Sequence, residues 1–311
     1  MRKQQIFKGA GTALITPMTA AGVDYETLGR LIDWQIDEGI NALIIAGTTG
    51  EGSTLDDEEH KKVLKYSVER TKGRVPVVAG TGSNDTAYAV SLSKYACDIG
   101  CDGLLVVTPY YNKATQKGLV EMYRVIAAAS TKPIILYNVP SRTGVNIEPA
   151  TYAELAKIDN VVAIKEANSN ISKIVETAAL VGDTLSIYSG NDDQIVPILS
   201  VGGQGIISVL SNIMPKKTVE ICDRFFAGDV EGSAKLQLEL LPLINALFCE
   251  TNPIPVKAAM SAIGFGENYV RLPLTPMEPV HEEKLIALMR EQGLACGKCV
   301  AQAERERLLV K

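Results

Sequence analysis

Residues 161–166 read VVAIKE, four apolar residues with no polar position among them, followed by a lysine and a glutamate. A run this short and continuous fits a strand covered on both faces, and the charged pair marks where it leaves the core. Side chains alternate along a strand, so Val161, Ala163 and Lys165 would share one face while Val162 and Ile164 share the other. Seven further runs of this kind are bounded by turn residues. They are Thr12 to Thr16, Ala42 to Ala46, Val75 to Ala79, Gly103 to Val107, Ile134 to Tyr137, Leu185 to Tyr188 and Gly205 to Val209. With Val161 to Lys165 they make eight, separated by stretches of helical period. Tyr25 to Glu38 places Leu28, Leu31, Ile32, Gln35 and Ile36 three or four apart, and Asp56 to Arg70 does the same with Val63, Leu64 and Val68.

Right-handed strand–helix–strand crossovers repeated eight times close naturally into an α/β fold of the (β/α)8 TIM-barrel type. An open doubly wound sheet is the rival. It would carry a glycine-rich phosphate turn after its first strand, where this chain has Thr16-Pro17-Met18. Gly80-Thr81-Gly82-Ser83-Asn84 follows the third run and lacks the third glycine. Beyond residue 229 the strands stop. Val230 to Phe248, Pro253 to Ile263, Val280 to Gln292 and Ala295 to Leu309 read as helices punctuated by prolines. The sequence therefore divides into a barrel, 1–229, and an appended C-terminal helical subdomain, 230–311. No flexible linker separates them, so the helices should pack on the barrel.

At 311 residues, 46% hydrophobic and 22% charged, the chain has the balance of an ordinary globular protein. A net charge of −5 and the lack of a basic cluster argue against nucleic acid. No run approaches the ~18 apolar residues of a membrane span, and no apolar signal core follows Met1-Arg2-Lys3, so a cytoplasmic protein is expected. Six cysteines are too few for a disulfide scaffold. Cys296 and Cys299 lack a second pair or a nearby histidine to complete a zinc site, and the whole chain has two histidines. The expectation is no metal and no cofactor.

In a barrel of this kind the chemistry sits where the strands end and the βα loops converge. Those ends carry Gly47-Thr48-Thr49-Gly50-Glu51, Thr108-Pro109-Tyr110-Tyr111-Asn112, Tyr137-Asn138-Val139-Pro140-Ser141-Arg142 and Lys165-Glu166. A lysine facing a barrel interior is poorly solvated as an ammonium, and the free amine can attack a carbonyl carbon to give a Schiff base. The alternative is that Lys165 pairs with Glu166 or reaches water. A phenol such as Tyr137, joined to hydroxyls, could relay the protons of an imine mechanism; singly, it is as readily a core residue. Thr48 and Thr49 could equally cap a helix. Arg142 is either a solvated loop residue or a planar fork for a carboxylate.

The ordered set Gly47-Thr48-Thr49-Gly50-Glu51, Tyr110-Tyr111-Asn112, Tyr137 to Gly144, Ile164-Lys165-Glu166-Ala167, Ser189-Gly190 and Gly203 to Ser208 resembles the dihydrodipicolinate synthase family over nearly the whole chain. That resemblance implies condensation of pyruvate with L-aspartate 4-semialdehyde. It further implies that Lys165 forms the Schiff base with pyruvate and that Tyr137, Thr48 and Tyr111 relay protons, Tyr111 reaching into a neighbouring subunit of a homodimer or homotetramer. Thr49 would hold the pyruvate carboxylate, Gly190 and Ile207 would offer backbone groups near the lysine, and Arg142 would bind the aldehyde's carboxylate. N-acetylneuraminate lyase and 2-keto-3-deoxy sugar acid aldolases share the lysine and tyrosine, and Arg142 in Ser-Arg-Thr-Gly favours the synthase over them. A small-molecule sensor that keeps the pocket without turnover is a third reading. In lysine-inhibited relatives a carboxylate stands at the position of Tyr88 and a histidine at that of Asp57. Weak feedback by lysine is therefore expected.

Overall fold

The computed structural model describes residues 3–297. Eight parallel strands form a closed barrel: β1 Gly9–Ala13, β2 Ala42–Ile45, β3 Val77–Gly80, β4 Gly103–Val107, β5 Ile134–Asn138, β6 Val161–Glu166, β7 Ser186–Ser189 and β8 Gly205–Ser208. Each pairs with its neighbours in chain order, and β1 closes on β8 with Gly9 opposite Gly205 and Thr12 opposite Ser208. Helices α1 Tyr25–Asp37, α2 Asp57–Thr71, α3 Thr86–Asp98, α4 Gln116–Ala128, α5 Pro149–Leu155, α6 Ile171–Val181, α7 Ile195–Ser200 and α8 Pro215–Phe226 follow the strands in turn. An additional helical turn, Pro140–Thr143, sits directly after β5.

Two cores result. Ala42, Ile44, Val78, Leu105, Ile135 and Ala163 pack inside the barrel, while Leu43, Ile45, Leu104, Leu136 and Ile164 pack outward with the helices. Phe7 closes the base by stacking on Tyr188, with ring centroids 4.3 Å apart, and the Tyr188 hydroxyl donates to the Phe7 carbonyl.

Three expectations shift. The first strand lies at Gly9–Ala13 rather than Thr12 to Thr16, because Gly11 yields its side-chain space to Ile44 and Phe7; a Cβ there would stand 2.7 Å from the former. The third strand begins at Val77, after Pro76, which has no N–H for a ladder. In β6 the register slips: Ile134 pairs with Val161 but Ile135 with Ala163. This bulge puts Val162 in the inner core with Ala163 and turns Val161 outward with Ile164, so strict alternation holds only for the last part of the strand.

Beyond the barrel, α9 Val230–Ala246, α10 Ile254–Ala262 and α11 Pro279–Glu291 match the expected helices to within two residues. Residues 295–297 are not helical, and the remainder of the helix expected from Ala295 to Leu309, with Cys299, lies outside the described residues.

Candidate active site

Lys165 ends β6 on the inner side, 5% exposed, with Nζ 4.3 Å from the ring centroid of Tyr137. Tyr137 is its register partner on β5. The pairing with Glu166 offered as an alternative does not occur. Glu166 turns outward, where its Oε1 accepts from Asn138 Nδ2 at 2.9 Å and the Asn168 backbone N–H at 2.8 Å, and its Oε2 accepts from the Tyr152 hydroxyl at 2.8 Å. Burial pushes this carboxyl up to about 7, against the pull of those donors. The charge of Lys165 is felt instead by Asp192, a buried carboxylate of the loop after β7. Asp192 accepts from Ser208 Oγ at 2.5 Å and from the backbone N–H groups of Val209 and Leu210 at 2.9 and 3.1 Å. Burial raises its pKa, and the hydrogen bonds and Lys165 oppose the shift.

The turn after β2 is tightly constrained. Ala46 and Glu51 both have φ of +53°, and a Cβ at Gly52 would lie 2.2 Å from the Ala46 carbonyl oxygen, so only glycine fits there. That turn presents Thr48 to a cavity of about 440 Å³ shared with Tyr137, Arg142, Tyr110, Tyr88 and His60. Thr49 is buried at 3% exposure, and its Oγ1 accepts from Asn252 Nδ2 at 3.0 Å. His60 Nε2 lies 2.9 Å from the Gly80 carbonyl oxygen, and burial lowers its pKa. A neutral imidazole donating to that carbonyl accounts for both.

Arg142 is carried on the Pro140–Thr143 turn and, although exposed, is not a free loop arginine: Nη2 donates to the Asn252 carbonyl oxygen at 3.0 Å. Gly190 N–H is already bonded to the Glu166 carbonyl at 2.7 Å, and a Cβ would meet Ala167 Cβ at 2.8 Å. Among the described residues its own carbonyl is the backbone group left over. Ile207 lies fully buried in the inner core. Tyr111 stands apart. At φ +70° it is 92% exposed, and its neighbour Tyr110 takes the place on the cavity.

Sequence reasoning passed over Asn252, Asp192 and the pair Glu51–Lys257, which joins this turn to α10 with a 2.5 Å contact between side chains 2% and 1% exposed. Glu51 Oε2 also accepts from the Arg271 backbone N–H at 3.1 Å.

A closed parallel barrel with a buried lysine under a phenol at its C-terminal rim, and hydroxyls and a guanidinium around it, has the layout of a lysine-dependent lyase. The chain belongs to the dihydrodipicolinate synthetase family, whose model matches residues 6–292. It is 56% identical over 294 residues to the 4-hydroxy-tetrahydrodipicolinate synthase of Acetivibrio thermocellus, covering 94% of this chain and all of that one. Among solved structures, the dihydrodipicolinate synthase of Aquifex aeolicus superposes with a TM-score of 0.92 at 43% identity, covering 94% of this chain and 100% of that one. The enzyme of Cyanidioschyzon merolae, solved with lysine bound, gives 0.89 at 36% identity, covering 94% of this chain and 100% of that one.

Proposed function

We propose that this protein catalyses the 4-hydroxy-tetrahydrodipicolinate synthase reaction, condensing pyruvate with L-aspartate 4-semialdehyde, with Lys165 as its covalent centre. The Lys165 amine attacks the keto carbon of pyruvate, and the carbinolamine loses water to give the imine. Loss of a methyl proton then gives the enamine that attacks the aldehyde. Tyr137 and Thr48 share the cavity and relay the protons; Thr49 holds the pyruvate carboxylate; Arg142 binds the carboxylate of the aldehyde; Gly190 and Ile207 contribute backbone groups near the lysine. Carbonyl chemistry of this kind needs no cofactor. The observation that carries the reading is the buried Lys165 Nζ over the Tyr137 ring, with its nearest chain neighbour Glu166 bonded elsewhere.

Tyr111 supports an oligomer. A phenol 92% exposed in a left-handed backbone conformation is held out from its own chain, where a second copy could receive it beside Tyr137 and Thr48. The proposed unit is therefore a homodimer or a tetramer built from such dimers, working in the cytoplasm, with residues 230–311 as a subdomain that serves the barrel. None of the described helices is long and apolar enough to cross a membrane. Pyruvate and borohydride together should add one reduced pyruvate to the Lys165 peptide, read by mass spectrometry. Labelling of another lysine would overturn the assignment.

A further inference from the structure

The turn that carries Thr48 and Thr49 is gripped from the C-terminal helices. Lys257 of α10 holds Glu51, and Arg271 donates from its backbone to Glu51 and from its guanidinium to the Thr54 carbonyl and to both oxygens of Glu59. Asn252, just before α10 and 5% exposed, goes deeper. Its Nδ2 donates to Thr49 Oγ1, and its backbone carbonyl accepts from Arg142, both at 3.0 Å. One residue of the C-terminal segment thus touches both groups assigned to substrate carboxylates. Its Oδ1 is buried and has no hydrogen-bond partner among the described residues, an arrangement that normally costs stability.

The direction of the Thr49 bond matters. A hydroxyl has one proton to give, and a carboxylate can only accept. Because Oγ1 receives the Asn252 N–H, the threonine keeps its own proton for a ligand. With the amide reversed, Oδ1 would take that proton and an acceptor would face the anion. We propose that Asn252 is a positioning residue for the keto-acid substrate, holding Thr49 from behind so that its hydroxyl donates to the substrate carboxylate. The orphaned Oδ1 is the cost of that orientation. This role rests on the reading of Thr49 as the carboxylate ligand. The Glu51–Lys257 pair keeps the turn and the segment in fixed register, so a small side-chain change at 252 acts on Thr49 alone.

The test is a double-mutant cycle on steady-state constants for pyruvate, with thermal unfolding as a check of the fold. Asn252→Ala should raise the pyruvate KM about five- to tenfold with kcat within about twofold, the loss expected for a weakened bond to a charged group. The KM for the aldehyde should stay put, because Arg142 is held by the backbone carbonyl that alanine retains. Asn252→Asp keeps the buried volume but accepts the threonine proton and sets a like charge near the substrate, so its KM should rise further. In a Thr49→Val background the Asn252→Ala effect should shrink to under about twofold, since contacting residues that act as a unit are not additive. If Asn252→Ala does not fold, the cycle runs with Asn252→Asp. A pyruvate KM that rises by the same factor in both backgrounds, or an aldehyde KM that rises instead, overturns the positioning role and leaves Thr49 standing. A Thr49→Val enzyme with unchanged pyruvate KM removes the role of Thr49 and the positioning role together.

Discussion

Lys165 at the barrel mouth and Lys257 in the seam beneath the C-terminal helices are both buried, at 5% and 1% exposure, and their surroundings differ in kind. Lys257 meets a carboxylate: burial lowers its pKa, and Glu51 at 2.5 Å pulls it back up. Lys165 meets an aromatic face, its neighbour in the chain being held by Asn138, Asn168 and Tyr152. Burial alone therefore does not mark a nucleophile. On the proposed reading, the supply of a bonded anion separates an amine kept as a clasp from one left for chemistry.

The sharpest way to break this contrast is substitution at both positions. Lys165→Arg should reduce turnover by on the order of a thousandfold or more while leaving the fold intact, because a guanidinium stays protonated and cannot form an imine. Steady-state assay with both substrates decides it, and residual activity near the parent level would move the covalent centre elsewhere. Lys257→Ala should act the other way round. It strips Glu51 of its cation and leaves a buried carboxylate, which costs about 3 to 5 kcal/mol in denaturant unfolding. Protein that still folds should continue to trap pyruvate on Lys165.

A third test concerns Glu166, the carboxylate next to Lys165 in the chain. Glu166 is raised from 4.5 to about 7 by burial, so the native state binds a proton that the unfolded chain has released. The sign follows from linkage: this stability is fully present below about pH 4.5 and is lost as pH rises through about 7, by at most about 3 kcal/mol. Glu166→Gln can still accept from Asn138 and Asn168, and it should flatten the stability profile between these limits. A profile that keeps its slope would mean that Glu166 ionises like an exposed carboxylate.

The two lysines also divide what the sequence could reveal. Lys165 was legible because it ends an apolar run, and eight such runs in strand–helix alternation define the barrel whose mouth it occupies. Tyr137 and Arg142 were legible for the same reason, since a strand end is a local feature. Lys257 sits inside a helix whose sequence explains itself by its own period, and its partner Glu51 is 206 residues away. Asn252 and Thr49 are 203 apart. No local pattern pairs such residues; the docking of the C-terminal helices does. The bulge at Val162 was hidden because a continuously apolar run gives no polar residue to betray which face each side chain takes. The start of β1 at Gly9 was hidden because Gly9 and Gly11, which make room for Asn41 and for Phe7 and Ile44, interrupt the apolar run.

In the role proposed for it, Arg142 extends the rule from lysines to the second substrate, where the anion comes from outside. Arg142→Ala should still form the pyruvate imine and lose about 10- to 150-fold in kcat/KM for L-aspartate 4-semialdehyde, the equivalent of about 1.5 to 3 kcal/mol for a charge-assisted bond. An unchanged kcat/KM would return this residue to the loop role and favour the sugar-acid aldolases.

The smallest expected effect belongs to a lysine that is not part of the chain. Free L-lysine brings an ammonium that, like Lys257, needs an anion to offset its desolvation. The cavity near Tyr88, Tyr110 and His60 offers a phenol whose pKa is raised by burial and then by Asp57, so it stays neutral. Asp57 is the nearby carboxylate, and it is already paired with Lys61 at 2.7 Å and beside the Tyr88 hydroxyl, with its pKa lowered by the Lys61 hydrogen bond first. Binding would have to pull Asp57 away from Lys61, an exchange of one exposed ion pair for another that gains at most about 1 kcal/mol. Initial rates should therefore fall by less than about half at millimolar lysine, an affinity no tighter than the millimolar range. Half-inhibition well below a millimolar would show that Asp57 turns from Lys61 to the ligand, and Asp57→Asn should then abolish it.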